Sequence, residues 1–237
     1  MKTPPKINPE QHDILPLLAA QNRTLDWLNT DDGNPYSLPN TARRSYLEAT
    51  RIVPLRYRKA TAAHPDIRRW INGLVGEAFA AQKRQPTPAA VVRSGPSLLI
   101  LGSVGVGKTY QCYGALREMA LTGVVAQWTV VTAADLYARL QPRFGVDSET
   151  EFERHAKAPV LFVDDLGAGG KLSEHTENVN FRLINYRYDH QLPTVITSNL
   201  LPKELGGRMG DRVASRLVEM CDRITMTGPD KRRQVAA

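Results

Sequence analysis

Apolar positions recur at helical spacing through roughly the first eighty residues of the chain. Ile14, Leu17, Leu18, Leu25 and Leu28 fall near one face, which predicts a helical segment within the first thirty residues, with Pro16 at its start or at a kink. Asp31-Asp32-Gly33-Asn34-Pro35 and Leu38-Pro39-Asn40 then read as breakers. His64-Pro65-Asp66 is a start signal, and Ile67, Trp70, Ile71, Leu74, Val75 and Phe79 predict a second helix whose apolar face is core. Residues 82–96 carry three prolines and read as a linker.

Beyond Ser97 the period changes. Short apolar runs at Leu98–Leu101, Val124–Val131, Val160–Val163, Val195–Thr197 and Ile224–Met226 predict strands. Helical segments are expected between them at Lys108–Leu121, Ala133–Leu140, Thr150–Lys157, Glu174–His190 and Arg208–Met220. Apolar strands separated by helices are the signature of a parallel α/β sheet buried on both faces. No internal repeat or low-complexity tract interrupts the pattern.

Composition narrows the class. Of 237 residues, 42% are hydrophobic and 23% charged, which excludes collagen-like and disordered chains. Cys112 and Cys221 stand far apart without CxxC spacing, so neither a disulfide framework nor a structural zinc site is expected. The longest uncharged stretch, Met119 to Ala134, is shorter than a bilayer span, and acidic residues interrupt the N-terminal segment early; a cytoplasmic location is the expectation. The net charge of +7 is uneven: residues 1–94 hold 14 Lys/Arg against 8 Asp/Glu, whereas residues 95–237 hold 17 against 16. The basic excess fits either contact with phosphates or an acidic partner, or a merely solvated surface.

Gly102-Ser103-Val104-Gly105-Val106-Gly107-Lys108-Thr109 fits G-x-x-x-x-G-K-[ST] between a predicted strand and a predicted helix, the context that phosphate-binding loops require. Glycines let the backbone wrap phosphates with its N–H groups, and the helix N-terminus adds favourable partial charge. Lys108 would reach the β- and γ-phosphates of ATP, and Thr109 would direct its hydroxyl at Mg²⁺. Tyr110, next on the helix, completes the candidate nucleotide-binding run. Val160-Leu161-Phe162-Val163-Asp164-Asp165 is an apolar strand ending in two acids; Asp164 suits the Mg²⁺ shell and Asp165 would polarise the attacking water. Pro193-Thr194-Val195-Ile196-Thr197-Ser198-Asn199 is a further strand with a polar tip. If it lies between the other two, Asn199 faces the γ-phosphate as a sensor. Arg212 and Arg216, four apart on one helix face, are candidates for an arginine finger that stabilises the transition state in a neighbouring subunit.

These elements, in this order, resemble the AAA+ ATPases. Asp164-Asp165-Leu166-Gly167, Arg187-Tyr188 before Pro193, Thr197-Ser198-Asn199-Leu200 and Ser215-Arg216-Leu217 are similar to the DnaC/IstB group. Val53-Pro54-Leu55-Arg56-Tyr57 looks like the segment preceding the ATPase core in DnaC-type loaders, and the resemblance covers roughly residues 50–226. It implies a P-loop NTPase core with a five-stranded parallel sheet, the sensor strand lying between the P-loop strand and the strand ending in Asp164. It also implies ATP-dependent self-assembly, with Arg216 as the finger and Arg212 as the fallback. Arg139, Arg143 and Lys157 would contact single-stranded DNA, although Glu149, Glu151 and Glu153 make that helix partly acidic. Arg56-Tyr57 lies where the family's linker approaches adenine, and stacking on the base and packing in the core both remain open. Eleven residues follow Met226, too few for the helical lid of larger AAA+ proteins. Asp165 stands where many of those enzymes use Glu, a shorter reach that predicts slow turnover suited to a switch.

The expected organisation is a partner-docking region at 1–49, a helical linker at 50–94 and the ATPase domain at 95–237. The leading functional expectation is an ATP- and Mg²⁺-dependent loader of a hexameric replicative helicase onto single-stranded DNA. Alternatives are an IstB-like transposition helper, which shares the same ATPase residues, and a nucleotide-gated assembly protein for which hydrolysis is dispensable. A small-molecule kinase would leave Asp165, Asn199 and the Ser-Arg-Leu helix without a role.

Overall fold

Strand formation follows directly from the apolar runs. β1 (Ser97–Gly102), β2 (Trp128–Thr132), β3 (Val160–Asp164), β4 (Thr194–Ser198) and β5 (Cys221–Met226) form one parallel sheet in the order β2-β3-β4-β1-β5. Every residue of β1 and β4 is buried. The helices in chain order are α1 (Pro9–His12), α2 (Leu15–Ala19), α3 (Leu25–Leu28), α4 (Leu38–Ile52), α5 (Pro65–Arg84), α6 (Lys108–Ala120), α7 (Ala133–Leu140), α8 (Ser148–Ala156), α9 (Glu174–Asp189), α10 (Leu205–Met209) and α11 (Asp211–Met220). This computed structural model describes residues 3–145, 147–167 and 173–231. The chain divides into two compact units, one of residues 94–109 with 128–237 and one of residues 1–93 with 110–127.

In the sheet unit, β4 lies between β1 and β3, as the resemblance implies. Leu101 pairs with Ser198 and Val163 with Ile196, so the C-terminal ends of the three central strands come level. The core contains Leu99, Leu101, Leu161, Val163 and Ile196 from the strands with Leu136, Phe152, Leu183, Val213 and Leu217 from the helices. Behind the strands sits Arg187, fully buried near the end of α9. Its Nη1 donates to the carbonyls of His155, Ala156 and Ala158, its Nη2 to Pro193 O, and its Nε to Thr194 Oγ1, at 2.7–3.1 Å. One guanidinium therefore ties the starts of β3 and β4 together. Among the described residues no helix follows β5.

The helical unit departs from the expected pattern at four points. The segment Ile14–Leu28 is not one helix: Asn22 turns left-handed (φ 53°) and the Arg23 N–H closes back on Leu18 O, separating α2 from α3. Leu38-Pro39-Asn40 does not break structure but opens α4, because a proline in the first turn lacks only an N–H that the helix does not use. α4 also runs through the boundary expected between residues 49 and 50. The anticipated strand from Val124 is shorter: Val125 makes an isolated parallel bridge to Val91, and β2 begins only at Trp128. In the sheet unit, the helix expected over Arg208–Met220 is split by Gly210 (φ 81°) into α10 and α11.

Short helices leave many unpaired carbonyls, and in the helical unit arginines collect them. Arg43, buried, donates from Nη1 to Leu28 O and Thr30 O and from Nη2 to Asn40 Oδ1. Arg117 of α6, also buried, donates to Ala60 O, Asp13 O and Tyr46 Oη. Arg23 bonds the carbonyls of Leu121 and Thr122 and lies 4.0 Å over the Trp27 ring. No helix among the described residues is long and apolar enough to cross a membrane.

Candidate nucleotide site

The level strand ends deliver the polar residues of three segments to one place. β1 runs into the loop Ser103–Gly107, and α6 starts at Lys108. Gly105 takes φ +84°, a conformation that an L side chain adopts only under strain, and a methyl there would also collide with the Asp230 carboxylate. At Gly102 a methyl would strike the Met226 carbonyl of β5. Of the loop side chains, Val106 is buried as an anchor, while Ser103 and Val104 are exposed.

Lys108 is buried and its Nζ donates to Gly102 O (2.7 Å), Ser103 O (3.0 Å) and Asn199 Oδ1 (2.6 Å). The ammonium is thus held across the loop mouth and bridged to the tip of β4. Asn199 in turn donates from Nδ2 to Asp165 Oδ1 at 3.3 Å. Lys108, Asn199 and Asp165 form one continuous polar chain, and the structure brings these three expected residues together.

Thr109 Oγ1 donates to both carboxylate oxygens of Asp164, at 3.0 and 3.2 Å. Thr197, which the sequence marks as part of the Thr197-Ser198-Asn199-Leu200 run without a role of its own, donates from Oγ1 to Asp164 Oδ1 (2.6 Å) and accepts the Asp165 N–H (2.9 Å). Its signal was a hydroxyl inside an apolar run, one residue beyond the Val163–Ile196 pair. Asp165 sits in the left-handed region (φ 58°), which Asp tolerates better than most residues. Burial pushes the Asp164 carboxyl above the usual carboxylate range, and the charge of Asp165 adds to this; bonds from Thr197 and Thr109 and the charge of Lys108 oppose it.

Hard oxygen donors from one hydroxyl and one half-buried carboxylate suit Mg²⁺, which keeps most of its shell for water and phosphate. No cluster of three or more His, Cys, Asp or Glu ligands exists among the described residues, so an all-protein metal cage is not what this site offers.

Other expected residues lie outside this cluster. Tyr110 belongs to the helical unit and donates its hydroxyl to Lys59 O. Tyr57 stacks on Tyr113 with centroids 4.6 Å apart, so one ring face is committed to packing. Arg216 lies 5.5 and 5.7 Å from the ring centroids of Phe181 and Tyr188 on α9, donates from Nη1 to Arg212 O, and keeps a buried Nε without a hydrogen-bond partner. Arg212 is exposed. Arg139 and Lys157 pair with Glu151 and Glu153, and Arg143 donates to Ala138 O. The acidic face of α8 is thereby largely answered by neighbouring cations, including Arg182 on Glu149. The chain after β5 also returns to the site: the Lys231 N–H donates to Gly105 O at 3.0 Å.

A parallel sheet ordered 2-3-4-1-5, with a P-loop after β1 and paired acids after β3, defines a P-loop NTPase of the AAA+ class. Within that class the chain belongs to the family described as IstB-like ATP binding protein, which matches residues 85–235. It is 30% identical over 113 residues to the replicative helicase loader DnaI of Bacillus subtilis (strain 168), a match covering 47% of this chain and about a third (35%) of that protein. The crystal structure of the DnaC helicase loader superposes with a TM-score of 0.57 at 25% identity, over 73% of this chain and all (100%) of that one. AMPPCP-bound DnaA from Aquifex aeolicus shares the fold, with a TM-score of 0.53 and 21% identity over 75% of this chain and 53% of that one.

Proposed function

We propose that this protein is an ATP-dependent loader of a hexameric replicative helicase onto single-stranded DNA. ATP binding would drive self-assembly and slow hydrolysis would reset it. The observation that carries the reading is the bridge Lys108–Asn199–Asp165, which links the residue that grips the triphosphate to the residue that handles water. The similarity to DnaI and to the DnaC loader structure supports the choice of cargo.

The roles follow from the contacts. Backbone N–H groups of Gly102–Thr109 cradle the phosphates, and Lys108 neutralises charge that develops on the β–γ bridge. Thr109 and Asp164 would hold Mg²⁺, which supplies charge neutralisation at the β- and γ-oxygens. Thr197 fixes the Asp164 carboxylate and the Asp165 backbone together, so both acids are oriented before substrate arrives. Asp165 polarises the attacking water, and Asn199 holds the acid and the lysine in register. Arg216 completes the site of a neighbouring copy. Its partial exposure is consistent with a guanidinium that a neighbouring copy can reach.

The family match favours one second reading, an IstB-like helper that delivers a transposase to DNA, with the same hydrolytic residues. Two measurements test the reading, one on the shared site and one on the DNA. Arg216→Ala protein mixed with Lys108→Ala protein regains part of the ATPase activity that each lacks alone, and ATP-dependent DNA binding favours single strands. No recovery at any mixing ratio rejects the shared site; a preference for duplex moves the assignment to the transposition helper.

A further inference from the structure

The last described residues lie on the P-loop itself. After β5 the chain passes Gly228 and returns so that the Lys231 N–H donates to the carbonyl of Gly105 at 3.0 Å. Half-buried Asp230 brings its carboxylate against Gly105, close enough that any side chain there would collide with it. The Lys231 ammonium runs beside Gly107, 3.6 Å from where a methyl on that glycine would stand. Three separate contacts therefore hold Asp230 and Lys231 against the loop whose amides the nucleotide needs. A loop that offers N–H groups to anions receives a carboxylate as it receives a phosphate oxygen. A carboxylate at its lip also repels an incoming polyphosphate across only a few ångströms of partly excluded water.

We infer that residues 228–231 form a strap that competes with the polyphosphate for the P-loop, with Asp230 as the competing anion. This rests on the reading of the P-loop as a nucleotide site and adds its regulation. The strap makes the site binding-competent only for the fraction of time that it is open, so apparent affinity is the intrinsic affinity reduced by that fraction. Whatever draws the tail away raises nucleotide affinity without touching the catalytic residues. In an assembly that needs nucleotide to form, such a brake keeps isolated copies empty at low ATP.

The test titrates the 237-residue chain and its Asp230→Asn and Asp230→Ala variants with AMPPCP·Mg²⁺, and separately with inorganic tripolyphosphate, which has no base or sugar. Both variants are expected to bind both probes about fivefold or more tightly, the gain corresponding to a strap closed most of the time. Asp222→Asn is the control. It removes the same charge from the far end of β5, roughly 13 Å along the strand, and is expected to change nothing. In hydrogen exchange, the Lys231 amide should be protected without nucleotide and exchange faster once AMPPCP binds. Equal affinity in wild type and both variants overturns the strap and leaves the nucleotide site standing. So does an Asp222→Asn gain equal to that of Asp230→Asn, since the effect would then be general charge. Failure of every protein to bind either probe rejects the nucleotide site and the strap with it.

Discussion

The two units meet the same demand, partners for buried main-chain carbonyls, with different chemistry. In the sheet unit a parallel ladder pairs most of them, and the polar side chains are free to gather at the strand ends. In the helical unit the first three helices are four or five residues long, and guanidinium groups of Arg23, Arg43 and Arg117 collect carbonyls that no ladder reaches. The lesson concerns charge. The basic excess of residues 1–94 invites a reading as a binding surface, yet Arg43 is only 1% exposed and is part of the scaffold. The cations left for a partner are exposed ones such as Arg51, Arg56 and Arg58. Arg187 is the sheet unit's own use of the same device.

The most severe challenge to this contrast replaces one buried guanidinium in each unit. Arg187→Ala strands four carbonyls and Thr194 at once and is expected to cost about 4 kcal/mol in urea unfolding, whereas Arg43→Ala, with three partners, costs about 2–3 kcal/mol. If Arg43 proves the costlier, carbonyl capture is not what sets the stability of either unit. Next in size is Asp164→Asn. Both threonine bonds can persist with an amide, and a buried negative charge disappears, so the melting temperature should rise by a few degrees, about 1 kcal/mol. Mg²⁺-dependent gain in AMPPCP affinity should vanish in the same variant, read by calorimetry with and without the metal.

Acidity gives a gentler probe. Because burial raises the Asp164 carboxyl above its ordinary value, the folded state binds more protons than the unfolded state between those two values. This group's contribution to stability therefore grows as pH falls through that window, the opposite of a salt-bridged aspartate. If Asp164 holds Mg²⁺ as proposed, the metal needs the ionised carboxylate, and its effect on AMPPCP binding should fade at a higher pH than for an ordinary aspartate. A fade only at ordinary carboxylate pH would show that Asp164 is better solvated than its burial indicates. The smallest expected effect is Tyr46→Phe, which removes one bond to Arg117 and should cost about 1 kcal/mol with nucleotide binding unchanged.

Much of the sheet unit is legible in the sequence because its signals are local. A strand buried on both faces reads as an unbroken apolar run, and the P-loop and the Asp164–Asp165 pair are fixed by a few neighbouring residues. Lys108, Asn199 and Asp165 fell together because the strand order brings β4 between β1 and β3. Thr197 is legible as a motif residue but its role is not, because that role depends on a cross-strand neighbour 33 residues away. The helical unit was harder. Pro39 reads equally as a breaker or a first-turn residue, and only the following α4 decides which. Asn22 broke a periodic segment through a left-handed turn that spacing does not record. The return of Asp230 and Lys231 to the P-loop is set by a bend after β5 in a stretch with no periodicity.

One feature at the back of the sheet reaches the chemistry at the front. Arg187 fastens the starts of β3 and β4, and the opposite ends of those strands carry Asp164 and lead directly to Asp165 and Asn199. Lysine at 187 would keep the charge but lose the planar fork that grips carbonyls on several sides. Such a protein would work when cold and slacken on warming, although no atom near the triphosphate had been changed. Temperature would then act as a dial on the candidate site from behind the sheet.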